Sequence, residues 1–69
     1  MTQNDEILNH LRQERTITSL EALELYGSLR LAARIKDLRD AGHKIHTHRL
    51  TLTNEKTIAE YVLIKEAGQ

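Results

Sequence analysis

The chain has 69 residues, ten basic and ten acidic side chains, and no cysteine or proline. That length suits one small domain and argues against a deep substrate cavity, because a chain of this size hides only roughly 60% of the surface its unfolded form exposes. Without cysteine there is neither a disulfide framework nor a thiolate metal site, and charges interrupt every apolar run before it reaches the length of a signal-peptide core or a membrane span. A soluble, cytoplasmic protein with no membrane contact is therefore expected.

Helix 1 is expected over residues 4–14, with Asn4 as N-cap, Asp5 and Glu6 in the first turn, and Ile7, Leu8 and Leu11 on one face. Arg15-Thr16-Ile17 is too short for a helix and reads as a brief extended piece. Thr18 with Glu21 three residues on matches a capping box and starts helix 2, expected over residues 19–26. Leu20, Leu23 and Tyr26 supply its apolar face, Ala22 lets another helix approach closely, and Gly27 ends it by adopting a left-handed conformation.

Helix 3 is expected over residues 28–40 with Ser28 as its cap. At about 100° per residue, Leu31, Ala32, Ile35 and Leu38 fall on one side and Arg30, Ala33 and Asp37 on the other. From His43 the period shifts towards two, and a hairpin is expected over residues 43–65, turning at Thr53-Asn54-Glu55-Lys56. Leu50 and Leu52 have the opposite parity to Ile45, which calls either for a bulge or for a partly exposed wing tip.

Zero net charge taken alone speaks against a nucleic-acid partner, but the charges are segregated. Residues 1–27 carry −3, residues 28–49 carry +4 and the remainder −1. The positive segment coincides with helix 3 and the strand after it. A short helix, a tight turn at Tyr26-Gly27-Ser28 and a basic helix is an arrangement that presents a helix to the DNA major groove.

The run ITSLEALELYGSLRLAARIKDLRDAGHKI, with the later spacing of Ala59, Tyr61 and Leu63, resembles a family of small winged helix-turn-helix domains frequent in phage and prophage genomes. The resemblance covers residues 17–63. It implies a mainly α fold with a C-terminal β-hairpin, three helices plus a wing, and sequence-specific binding of double-stranded DNA through the helix containing Arg30 and Arg34. It implies a regulator of phage genes. Two departures stand out: Gly27 lies five residues after Ala22 rather than the four of a compact repressor-type motif, and the wing tip is locally neutral rather than basic or glycine-containing.

The candidate DNA contacts are Ser28, Arg30, Ala33, Arg34, Lys36, Asp37, Lys44 and Arg49. Arg30 and Arg34 are the residue type that makes a bidentate contact to guanine O6 and N7, whereas Lys44 and Arg49 suit phosphate. Asp37 has two readings, an acceptor for cytosine N4 and, preferred, an intrahelical partner of Arg34 or Lys36. Ser28 and nearby backbone N–H groups lie where a phosphate would meet the helix start.

His43, His46 and His48, with Glu60 across the hairpin, read as a solvent-facing strand rather than a metal site. Imidazoles ordinarily titrate near about pH 6.5, so DNA affinity is expected to rise as pH falls from about 7.5 to 6. Ser19 and Ser28 sit at helix starts with no paired His and carboxylate, so no catalysis and no cofactor are expected. A neutral chain this small makes few phosphate contacts, so a homodimer or cooperative oligomer on DNA is expected. Two rival functions remain open: an excisionase-like factor that bends DNA, and a protein-interaction module, such as a phage inhibitor of a host protein, that uses the fold without nucleic acid.

Overall fold

The computed structural model describes residues 2–68; the ends of the expected domain, Met1 and Gln69, lie outside them. Three helices and three strands follow in the order α1 (Gln3–Glu14), β1 (Thr16–Thr18), α2 (Ser19–Tyr26), α3 (Leu31–Asp40), β2 (Lys44–Thr51) and β3 (Thr57–Lys65).

α1 is capped by Thr2, not Asn4. The Thr2 hydroxyl accepts the Asp5 N–H at 3.2 Å while the Asp5 carboxylate accepts the Thr2 N–H at 3.3 Å, a reciprocal pairing that fixes the cap two residues earlier than expected. α2 starts in the same way, through Thr18 and Glu21. It ends at Gly27, where φ of 66° is left-handed and the Ser28 N–H folds back onto the Ala22 carbonyl at 3.1 Å.

That fold-back overturns two expectations. It draws Ser28 into the interior, 3% exposed, so Ser28 does not cap α3, which begins at Leu31 rather than at residue 28. On α2, Ala22 is buried and Tyr26 packs against the core, whereas Leu20 and Leu23, expected on its apolar face, are exposed. The heptad-like spacing allowed either face inward, and the small Ala22 with the hydrogen-bonding Tyr26 won.

The sheet has the order β1-β3-β2, all antiparallel. The extended piece after α1 is thus a third strand, with Ile17 beside Tyr61. The register of the hairpin shifts between Lys44 and Ile45, and from there pairing runs without interruption to Thr51 beside Thr57. Because the irregularity lies at the base, Leu50 keeps its opposite parity and pairs across from Ile58 on the outer face. The wing is therefore partly apolar. Its tip is a three-residue turn, Thr53 to Glu55, between Leu52 and Lys56, with the Leu52 N–H on the Lys56 carbonyl at 2.7 Å and Glu55 left-handed at φ 66°.

One core joins all the elements. Ile7, Leu8 and Leu11 from α1 meet Ile17, Ala22, Leu31, Ile35, Leu38, Ile45, Tyr61 and Leu63. α1 and α2 are further tied by His10, whose Nδ1 is 2.9 Å from the Tyr26 hydroxyl with the rings edge to face. Burial and the carboxylates of Glu6, Glu21 and Glu14 raise the Tyr26 hydroxyl above its ordinary pKa of 10.0. Arg12 pairs with Glu66 and fastens α1 to the end of β3.

Candidate nucleic-acid interface

α3 spans ten residues, roughly 15 Å at the usual helical rise. Leu31, Ile35 and Leu38 hold it against the core, which turns Ala32, Ala33, Lys36 and Asp40 outward. Ala32 is on the exposed side rather than the buried one, because the buried arc centres on Leu31 and Ile35. Arg30 is exposed at the N-cap position and makes no side-chain cap, and the first turn holds no acidic residue. Among the described residues no side chain caps the leading N–H groups of α3, the electrostatic setting that favours an anion.

The two arginines differ. Arg30 is free on the surface, whereas the Arg34 side chain is 33% exposed, its Nη2 is 3.8 Å from the Asp37 carboxylate, and its Nε is enclosed with no hydrogen-bond partner among the described residues. Asp37 also accepts the Asn4 amide of α1 at 3.3 Å. Asp37 is thus shared between Arg34 and the start of α1. An exposed pair at this separation contributes little stability, but it holds Arg34 to the α1 side of the helix. Lys36 lies on the other side, exposed.

Lys44 and Arg49 are both exposed on β2 but are not brought together. Lys44 is at the base of the hairpin, opposite Lys65, and Arg49 is near the tip, opposite Ala59, so about 16 Å of strand separates them at the usual rise. Ser28 is withdrawn from the surface, with its hydroxyl unpaired among the described residues. His43 stands apart, its Nδ1 accepting the Ala67 N–H at 2.9 Å, while His46 and His48 share one face of β2, opposite Val62 and Glu60. No group of three or more His, Cys, Asp or Glu able to hold a metal ion occurs among the described residues.

Two features had no local signal in the sequence. Leu29, beside Arg30, is 85% exposed, because the reversal after α2 pushes it outward. Arg39 lies along the free edge of β2, donating to the Ile45 carbonyl at 3.0 and 2.7 Å and to the Thr47 hydroxyl at 2.9 Å. It thereby occupies acceptors on an otherwise open sheet edge.

Three helices, the third placed outward with an open N-terminus, and a twisted antiparallel wing define the winged variant of the helix-turn-helix. A family model described as "Winged helix-turn-helix domain" matches residues 2–66, and the chain belongs to that family of non-catalytic DNA-binding domains. No curated protein and no solved structure gives a significant match. The general function is DNA binding of the kind used in transcriptional regulation. No helix among the described residues is long and apolar enough to cross a membrane.

Proposed function

We propose that the chain binds double-stranded DNA sequence-specifically, as a transcriptional regulator of phage or prophage type, by docking α3 in the major groove with the wing against the adjacent backbone. The observation that carries this is the outward side of α3. Exposed Arg30 and Lys36 flank Ala33 opposite the buried Leu31, Ile35 and Leu38, and among the described residues no side chain caps the helix start.

In this arrangement Arg30 reads a guanine edge, while Leu29 and Ala33 offer methyl groups to thymine. Backbone N–H groups at the start of α3 take a phosphate. Lys36, with Arg49 and Lys56 from the wing, supplies further charge. Arg34, restrained by Asp37, contributes less discrimination than Arg30. Few contacts per copy mean that tight binding draws on neighbouring copies along the duplex.

The test is a titration of defined and random short duplexes at low and moderate salt. Steep weakening with salt, together with preference among sequences, supports DNA reading. A salt-insensitive absence of any complex leaves the protein-interaction alternative in its place. Measurement of the bend in a bound duplex separates a regulator from an excisionase-like architectural factor.

A further inference from the structure

Two exposed patches of opposite character lie away from the outward side of α3, the second of them including Lys44, one of the candidate phosphate contacts. On α2, Leu20, Leu23 and Glu24 follow the i, i+3, i+4 spacing and so share one flank. Both leucines are exposed because α2 turns Ala22 and Tyr26 inward, and Glu24 has no ion-pair partner among the described residues. At the base of the hairpin, Arg39, His43, Lys44, Ile45, His46 and Ile64 line an open cleft of about 350 Å³. Its apolar wall is Ile64, 61% exposed, and its rim is basic.

We propose that the acidic leucine flank of α2 in one copy of this chain docks in the basic, isoleucine-walled cleft of the next. Leu20 and Leu23 pack on Ile64, and Glu24 pairs with Lys44. A second copy is the occupant because the chain itself carries both halves of a complementary pair, apolar with acidic and apolar with basic. This follows the same polarity that gives residues 1–27 a charge of −3 and residues 28–49 a charge of +4. The contact joins two different surfaces, so it is head-to-tail and repeats along a row instead of closing a two-fold dimer.

The interface is small and weak between free molecules, and it gains strength when DNA holds neighbouring copies at high local concentration. That consequence rests on the DNA-binding reading, whereas the contact itself does not.

The decisive experiment is therefore run first without DNA. Amide spectra of the chain recorded from micromolar to millimolar concentration are expected to shift at two separate places, around Leu20 to Glu24 and around Lys44 to His46 with Ile64. Glu24→Lys and Lys44→Glu, each alone, oppose like charges and should abolish the concentration dependence. An equimolar mixture of the two restores opposite charges at every junction and should recover it. Shifts confined to one patch mean a symmetric contact and overturn the proposal; spectra unchanged on dilution overturn it too and leave the patches to a different protein. On DNA, Glu24→Lys should bind a one-site duplex as the parent does but lose cooperativity on the order of tenfold on a two-site duplex. Unchanged cooperativity overturns the role drawn for the contact on DNA, and failure of the parent on the one-site duplex sinks the DNA reading instead.

Discussion

The starts of α1 and α2 differ from the start of α3 in a way that separates structural helices from a helix available to a ligand. At α1 and α2 a threonine hydroxyl and an acidic side chain three residues on satisfy backbone N–H groups reciprocally, so a negative charge already sits at each positive helix end. At α3 an exposed arginine stands in that place and no acid follows in the first turn. The first two helices are complete within the protein. The third retains donors and positive potential for an outside anion, while its buried face is as firmly held as theirs.

The largest effect should come from breaking the part the three helices share. Ile35 is fully buried, so Ile35→Ala leaves a cavity and should lower unfolding free energy by about 2–5 kcal/mol in denaturant titrations. Next, Arg30→Ala should cost on the order of 1–3 kcal/mol of DNA binding and relax preference at one base pair, with Arg34→Ala costing less. Equal losses from the two, on every sequence, would make both arginines phosphate ligands.

Thr18→Ala removes half of the cap on α2 and should destabilise the fold by roughly 0.5–2 kcal/mol. DNA affinity of the folded protein should be unchanged. Arg30→Asp sharpens the contrast further: a carboxylate at the start of α3 should stabilise the fold by about 0.3–1 kcal/mol through the helix dipole while abolishing DNA binding. If that substitution weakens both properties together, the open helix end is a structural feature and not a binding one.

The smallest effect concerns the junction of the two closed helices. Because the folded Tyr26 hydroxyl has a raised pKa, its contribution to stability is fully present below the ordinary value of 10.0 and is lost as pH rises through the folded value. Tyr26→Phe should flatten that alkaline decline in thermal melts recorded as pH is raised past 10.0.

What the sequence disclosed was what depends on near neighbours. The Thr18 and Glu21 box, the glycine stop at Gly27 and the Leu31, Ile35 and Leu38 stripe all follow from spacings of three or four residues. The pairing of Thr16 with Val62 spans most of the chain and leaves no local trace, so β1 read only as an extended piece. On α2 the inward placing of Ala22 and Tyr26 was legible, but Leu20 and Leu23 are exposed, because close packing favours the small side chain and a tyrosine able to bond His10 over the more hydrophobic leucines. Ser28 has the composition of a cap, and only the reversal onto the Ala22 carbonyl shows why it is buried instead. Within the candidate interface, Arg30 is exposed as expected but from the N-cap position, outside the helical phase used to place it, and restraint of Arg34 depended on Asn4 and Asp37 meeting across two elements.

Amide shift mapping of the chain with a mixed-sequence DNA duplex tests the open surface of α3 most directly. Changes concentrated at Leu29 to Lys36 and at the wing around Arg49 to Lys56, fading as salt is raised, are the predicted result. Changes centred on the sealed starts of α1 and α2, or none at all at low salt, would contradict it.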